Sequence, residues 1–243
     1  LLREEQTLLH DRPLPKRWVR EVVLRMLFAR VHALHIGSLN RAFFDFYGVP
    51  ESRSFFVPYA VDNERLRAEA RELAGRRNEL RQSFGIGPQA GPVVLFVGKL
   101  TEKKRPLLAL EAFLRVRRER PCALLIVGAG SLEAELRRRA ADVPDVYFAG
   151  FLNRSAITRA YAAADVFVLP SALNETLGLV VNEAMNFSLP VVVSDKVGCA
   201  ADLVRTGENG HVVPADDAEA LAGALRALVA DDDLRGAYGR RSL

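Results

Sequence analysis

From Pro92 onward, short apolar runs alternate with amphipathic stretches of helical period, and few residues lie between them. A run such as Val93–Val97, rich in β-branched residues, is typical of a strand buried on both faces of a parallel sheet. Strands alternating with helices predict parallel strands joined by right-handed crossovers, which is a doubly wound α/β fold. The predicted strands are Val93–Val97, Ala123–Val127, Asp145–Phe148, Val166–Leu169, Val191–Ser194 and, at an edge, Gly210–Pro214. The predicted helices are Pro106–Arg118, one opened by Ser131, Ser155–Ala163, one after Gly178, Ala200–Arg205, and one from Asp216 or Asp217 to Val229.

The first ninety residues follow a different pattern. Lys16–Phe28 and Asn40–Tyr47 are predicted to be helices, and Ala33–Gly37 and Phe55–Val57 to be short strands. These elements are too few to close a domain of their own, so we expect this segment to be the tail of a domain whose first half is absent. One charged helix is predicted to follow, ended by the turn at Gly85–Pro88.

The helix predicted at Lys16–Phe28 mixes basic and apolar residues. A basic amphipathic helix can lie on an anionic bilayer, so a peripheral membrane contact is one interpretation. Its polar and apolar faces are poorly separated, however, and packing of the apolar side chains within the domain is the favoured interpretation. Those side chains are Trp18, Val22, Val23, Met26 and Leu27.

The composition, 49% hydrophobic and 26% charged residues among 243, is that of an ordinary globular protein. No apolar run approaches the roughly 20 residues of a membrane span. Cys122 and Cys199 suggest neither a disulfide framework nor a metal cluster, so we predict a cytoplasmic location, with the inner face of the membrane as a peripheral site. The net charge of +4 fits phosphorylated substrates or an anionic surface, and without a recognised motif no nucleic-acid partner is predicted. Because the chain begins with Leu1, we expect a piece of a longer protein.

Glu175 and Glu183 give the most specific functional signal. Seven residues separate them, and the first is predicted on a loop after a strand, the second about one turn inside the helix that follows Gly178. At the carboxyl end of a strand, both carboxylates can point into one ligand cleft. Free N–H groups on Leu179 and Val180 at the helix start favour a diphosphate. Each Glu alone is more often a solvated surface residue, but the pair suits a ligand with hydroxyls on either side of a phosphate, such as a nucleotide sugar.

A basic loop follows the first strand of the α/β segment. Lys99 and Lys104 lie on this loop, which the fold places beside the helix start at Gly178. Two fixed ammonium groups there would stabilise the negative charge that develops on a departing diphosphate. The alternative is a solvated basic loop, and Lys103 and Arg105 are expected to be solvated neighbours.

Two further motifs give weaker signals. Gly128 and Gly130 form a turn between a strand and a helix, but Glu133 occupies the third glycine position of a dinucleotide-binding fingerprint. A nicotinamide-dependent oxidoreductase is therefore disfavoured. Asp231–Asp233 formally contains a D-x-D metal motif, yet Asp at a helix start is ordinary capping. No metal site is predicted, and the four histidines have no ligand spacing.

Several of these segments, in their order along the chain, resemble the group 1 retaining glycosyltransferases with the GT-B fold. The pair Glu175 and Glu183 resembles their E-x7-E signature. The loop Gly98–Pro106 resembles their basic diphosphate loop, with Lys99 where the family usually has Arg. Pro58–Asp62 resembles the hinge between the two domains. The resemblance implies a Rossmann-like nucleotide-sugar-binding domain at residues 92–243, a hinge and linker helix at 58–91, and a remnant of the acceptor-side domain at 1–57.

The resemblance also implies a role for each candidate residue. Lys99 and Lys104 would neutralise the donor diphosphate and, with Glu175 at the transferred sugar, form the catalytic set. Glu183 would bind the ribose hydroxyls. The backbone around Phe151 would border the nucleobase. The donor-binding candidates are Glu183, Gly178, Leu179, Val180, Gly128, Phe151 and Leu152.

The implied activity is transfer of a hexose-type sugar from a nucleotide sugar to an unidentified glycan, lipid or small-molecule acceptor, in glycan or polysaccharide biosynthesis. Neither a metal nor a cofactor is implied, because the nucleotide sugar is itself the substrate. Two alternatives stay open: a donor-binding fragment or subunit that is inactive alone, and a nucleotide-sugar epimerase of similar fold.

Overall fold

The computed structural model describes residues 1–9, 14–172 and 175–243. The chain divides into two compact units, Leu1–Ala60 and Val61–Leu243, and each has its own hydrophobic core. No helix in the described residues is both long and apolar enough to cross a bilayer. The roles that the sequence suggests for the ranges 1–57, 58–91 and 92–243 stay predictions.

The first unit is a small parallel sheet whose crossovers are helical. Its elements are β1 (Leu2–Arg3), α1 (Leu14–Phe28), β2 (Ala33–His35), α2 (Ser38–Phe46), a 3-10 helix (Glu51–Arg53) and β3 (Ser54–Phe56). The strand order is β1-β2-β3. The ring of Phe28 lies within 6.3 Å, centroid to centroid, of the rings of Phe43, Phe44 and Tyr47. The unit therefore has an aromatic core of its own, which is more than its few short elements led us to expect.

One apolar face of α1 is exposed, whereas the sequence favoured its burial. Trp18 is 70% exposed and Met26 75% exposed, whereas Phe28 lies in the core and Leu24 packs against it. The expectation that the apolar side chains of this helix pack within the domain is therefore wrong, because the helix buries the opposite face. Contact of the exposed face with a bilayer stays a prediction. The exposed apolar side chains are Trp18, Val19, Val22, Val23, Met26 and Leu27.

The second unit is the predicted doubly wound α/β fold. Its strands are β4 (Val93–Val97), β5 (Ala123–Val127), β6 (Val146–Gly150), β7 (Val166–Leu169), β8 (Val191–Ser194) and β9 (Gly210–Val213). Its helices are α3 (Asn63–Leu73), α4 (Arg77–Ser83), α5 (Pro106–Arg117), α6 (Glu133–Arg139), α7 (Ile157–Ala163), α8 (Leu179–Met185), α9 (Ala200–Leu203), α10 (Ala218–Ala230) and α11 (Asp232–Arg241), with a 3-10 helix at Glu102–Lys104. The strands run parallel in the order β6-β5-β4-β7-β8-β9, so β9 lies at an edge as predicted. Chain order reverses between β4 and β7.

Most predicted elements are confirmed, and the corrections have local causes. The bounds of β4, β5, β7 and β8 match the prediction, because their continuous apolar runs are buried along their whole length. The single charged helix predicted before Gly85 is instead two helices, α3 and α4. Gly75, with φ +83°, lies just beyond the end of α3, which is where a left-handed glycine ends a helix.

Asp165, directly before β7, ties α4 to the amino end of the sheet. Its carboxylate accepts hydrogen bonds from the Val93 N–H at 2.6 Å and from Arg77 at 2.9 Å, and it also pairs with Arg81. These bonds satisfy a carboxyl group that is largely buried. The segment that carries α4 is thereby part of the second unit.

The two cysteines test the burial of the second unit. Both are free and buried, and burial raises the pKa of Cys122 to about 11 and that of Cys199 to about 12. At pH 8 about one Cys122 thiol in a thousand is then a thiolate, the reactive form. We expect neither thiol to react with dithiobis(nitrobenzoate) in the native chain at pH 8, and both to react in guanidinium chloride. Rapid release of thionitrobenzoate by the native chain would contradict this burial.

Candidate functional site

The candidate site lies at the carboxyl ends of β4 and β7. These strands are neighbours, with Phe96 opposite Val168, and chain order reverses between them. Right-handed crossovers that leave such a pair in opposite directions put their helices on opposite faces, so the loops diverge and leave a crevice. Ligands of open α/β sheets bind in this crevice. The loops that leave β4 and β7 carry the basic segment and Glu175.

A backbone bond holds the two loops together. The Ala172 N–H donates to the carbonyl of Lys103 at 2.8 Å. Lys99, on the β4 loop, is exposed to solvent. Arg105 adopts left-handed backbone, φ 50°, and its guanidinium pairs with Asp216 at 2.8 Å. Arg105, which was predicted to be a solvated neighbour, is 36% exposed and also joins the end of the basic loop to Asp216.

Lys104 and Glu175, both in the predicted catalytic set, form an ion pair. The Lys104 Nζ lies 2.5 Å from the Glu175 Oε2, and their side chains are only 17% and 8% exposed. Ser171 donates from its Oγ to the same Oε2 at 3.2 Å. The aliphatic stem of Lys104 lies over Gly98. A Cβ added to that glycine would be 3.5 Å from the stem. The fold thus gathers a cation, a carboxylate and a hydroxyl in one crevice.

The segment from Glu175 to α8 is fixed through its backbone. The Gly198 N–H donates to the Glu175 carbonyl at 2.8 Å, and the Cys199 N–H donates to the Leu177 carbonyl at 2.9 Å. Gly178 has φ +81°, and a Cβ there would lie 2.9 Å from Val197, so this position requires glycine. Residues 173 and 174 lie outside the described part of the chain.

The predicted helix start is observed. α8 begins at Leu179, and the first N–H groups of a helix, here those of Leu179 and Val180, have no acceptor within the helix. They follow Gly178 at the crevice. Loop placement of Glu175 and helix placement of Glu183 are both confirmed.

Glu183 is held by a residue that sequence reasoning missed. The Tyr161 hydroxyl, on α7, donates to the Glu183 Oε2 at 2.8 Å. Tyr161 is completely buried, and burial, then the charge of Glu183, raises the pKa of its hydroxyl well above the usual value. Glu183 itself is half-buried. In sequence, Tyr161 is one apolar-face position of an ordinary helix and carries no separate signal.

The glycine turn has a packing role. Gly128 has φ +139°, and a Cβ there would lie 1.9 Å from the Gly98 carbonyl oxygen. The Gly98 N–H donates to the Val127 carbonyl at 3.0 Å, and the Leu100 N–H donates to the Ala129 carbonyl at 3.0 Å. The turn therefore supports the basic loop by close backbone contact, while binding of donor by Gly128 stays a prediction.

The segment after β6 shows one exposed aromatic ring. Phe151 is 77% exposed, whereas Leu152 packs against the core. The Asn153 side chain accepts a hydrogen bond from the Ala156 N–H at 3.0 Å and so fixes the turn into α7. Phe151 and Leu152 follow β6, at the edge of the sheet and two strands from β4. No contact of theirs reports on a nucleobase, so that role stays a prediction.

The D-x-D segment caps a helix, as the sequence predicts. The Asp231 Oδ1 accepts a hydrogen bond from the Leu234 N–H, at the start of α11, at 2.9 Å. Among the described residues no group of three or more His, Cys, Asp or Glu could hold a metal ion. Transfer without a metal stays a prediction.

The chain belongs to the group 1 glycosyltransferases, because the model of that family, Glycosyl transferases group 1, matches residues 91–231. This range contains both glutamates, the basic loop and every strand of the larger sheet.

Named relatives support the assignment. The chain is 38% identical over 160 residues to the phosphatidyl-myo-inositol mannosyltransferase of Mycobacterium leprae, covering 62% of this chain and 41% of that protein. It is 33% identical over 246 residues to the D-inositol 3-phosphate glycosyltransferase of Geodermatophilus obscurus, covering 95% and 52%. The chain spans about half the length, or less, of these relatives. The crystal structure of Anabaena HepE with UDP shares the fold, with a TM-score of 0.74 at 20% identity over 96% of this chain and 65% of that one.

Replacing Gly128 with Ala tests the support of the basic loop. The added Cβ would meet the Gly98 carbonyl oxygen at 1.9 Å in a left-handed backbone, so we expect Gly128→Ala to lower the free energy of unfolding by about 2–4 kcal/mol. Gly87→Ala is the matched control, since a Cβ there has nothing within 4 Å. Denaturant unfolding of both variants measures the difference. Equal stabilities would contradict the close contact.

Proposed function

We propose that this chain carries the donor site of a retaining glycosyltransferase, which transfers a hexose-type sugar from a nucleotide sugar to an acceptor hydroxyl. The observation that carries the proposal is the Lys104–Glu175 ion pair in the crevice between β4 and β7. A cation for the diphosphate and a carboxylate for the sugar hydroxyls lie side by side there. Membership of the group 1 glycosyltransferases supports this interpretation.

Stabilisation of the leaving group is the main chemical task of such a site. When the bond between sugar and diphosphate breaks, negative charge develops on the diphosphate oxygen. Lys99, Lys104 and the N–H groups of Leu179 and Val180 would stabilise that charge. The helix start already holds its N–H groups in place, and Lys104 would turn from Glu175 to the diphosphate. Glu175 would accept hydrogen bonds from the transferred sugar. Glu183 would accept them from the ribose.

We propose the residues that border the donor pocket from their positions along the sheet. Gly128 lies against the basic loop, and Phe151 and Leu152 follow β6, the edge strand two strands from β4. These residues would flank the nucleoside end of the donor.

The acceptor is proposed only as a class. The relatives named above include a phosphatidyl-myo-inositol mannosyltransferase and a D-inositol 3-phosphate glycosyltransferase. We therefore propose a hydroxyl-bearing lipid, glycan or small molecule, in glycolipid or polysaccharide biosynthesis. Family membership argues against the alternative of a nucleotide-sugar epimerase.

A second candidate is a donor-binding piece that needs another polypeptide for transfer. The observation that favours it is length, since the chain spans 41% and 52% of the two relatives. In this account residues 1–57 contribute the end of an acceptor-side domain, 58–91 a hinge and linker, and 92–243 the donor domain. Donor binding is common to both candidates, so it is the property to test.

Adjacent lysines provide a matched test of the donor site. We expect calorimetry without metal to show that the chain binds either UDP or GDP, and that Lys104→Met weakens this binding by about 10- to 100-fold, because a charge-assisted contact to phosphate is lost. Binding of the bare nucleoside should be unchanged. Lys103 is an exposed lysine in the same 3-10 helix, and Lys103→Met should bind that nucleoside diphosphate as the wild type does. Failure of the wild type to bind either one, or equal binding by both variants, would contradict the proposal.

A further inference from the structure

The Tyr161 hydroxyl contacts the carboxylate of Glu183, although the ring of Tyr161 packs in the core. The ring stacks on Phe187 with centroids 5.5 Å apart and lies 6.3 Å from the ring of Phe167. Tyr161 has no solvent exposure. Aromatic packing on two sides therefore fixes the ring, and the ring fixes where the hydroxyl oxygen stands.

The hydrogen bond runs in one direction only. A phenol beside a carboxylate donates, and the Tyr161 hydroxyl reaches the Glu183 Oε2 at 2.8 Å. Because burial and the neighbouring charge raise the pKa of Tyr161 well above its usual value, the hydroxyl keeps its proton at every pH near neutrality. Near neutral pH the Tyr161 hydroxyl is therefore the donor of this bond and the Glu183 carboxylate is the acceptor.

The bond leaves Glu183 able to bind a ligand. An ionised carboxylate has about four acceptor positions on its two oxygens, and Tyr161 takes one of them. Glu183 is half-buried rather than enclosed. A flexible glutamate that is already held in one orientation loses less side-chain freedom when a ligand binds.

Resting on the function proposed above, we infer that Tyr161 is a positioning residue, which holds the Glu183 carboxylate in the orientation that accepts the ribose hydroxyls of the donor. The phenol acts through Glu183 and does not touch the substrate. It does so from α7, outside the loops that leave β4 and β7.

Removal of one oxygen separates this role from simple packing. Tyr161→Phe keeps the ring and its stacking on Phe187, and it deletes only the donor to Glu183. Tyr238→Phe is the matched control, because Tyr238 is also a buried tyrosine of the second unit and lies on α11, against His211 rather than the candidate site. Thermal unfolding of both variants checks that each is folded.

The experiment is calorimetric titration of the full chain with UDP and GDP and with their 2′,3′-dideoxy forms, which lack both ribose hydroxyls. For the nucleotide that binds, we expect Tyr161→Phe to weaken the ribose form by about 3- to 10-fold, the worth of one orienting hydrogen bond. The dideoxy form should bind Tyr161→Phe and wild type alike. Glu183→Ala should remove the preference for ribose, and Tyr238→Phe should keep it.

Other outcomes overturn the inference in distinguishable ways. If Glu183→Ala loses the preference for ribose but Tyr161→Phe keeps that of the wild type, Tyr161 is a core residue only, and the proposed donor site stands. If Tyr161→Phe weakens ribose and dideoxy forms equally, its effect is structural and the positioning role is wrong. If the wild type binds no form of either nucleotide, the proposed function fails and this inference fails with it.

Discussion

The Lys104–Glu175 ion pair joins the loops that leave β4 and β7, the neighbouring strands at which chain order reverses. The crevice follows from that reversal, because crossovers leaving in opposite directions carry the loops apart above the sheet. The ion pair connects the two loops across it. Glycines let the flanking segments approach closely. A Cβ on Gly198 would lie 1.8 Å from the Thr176 carbonyl oxygen, much as one on Gly128 would strike Gly98.

The chemistry of the pair suits an exchange of partners. An ammonium group on a flexible stem is a mobile point charge, unlike the planar fork of arginine. A diphosphate carries more negative charge than one carboxylate, so it would compete well for Lys104. Once released, Glu175 would still have the Ser171 hydroxyl beside it, and its oxygens could accept hydrogen bonds from a sugar. The same two side chains would thus bind each other in the free protein and bind the donor in the complex.

The sequence predicted those features that depend on residues close together in the chain. The apolar runs of β4, β5, β7 and β8 gave their bounds directly, and the loop and helix positions of the two glutamates followed. Pairings between segments far apart in sequence could not be read in this way. The bond from Tyr161 to Glu183 depends on α7 and α8 becoming neighbours, and the pair of Arg105 with Asp216 depends on loops more than 100 residues apart. The exposure of one face of α1 was not predicted, because apolar residues favour burial but do not show which surface would cover them.

The decisive measurement is a crystal structure of the chain with the nucleoside diphosphate that it binds. We predict that the diphosphate lies between the basic loop and the start of α8, with the Lys104 Nζ moved from Glu175 to a phosphate oxygen. The ribose should lie at Glu183. A nucleotide bound at the amino ends of the strands, or one bound in the crevice with the Lys104–Glu175 pair intact and no phosphate contact, would contradict it.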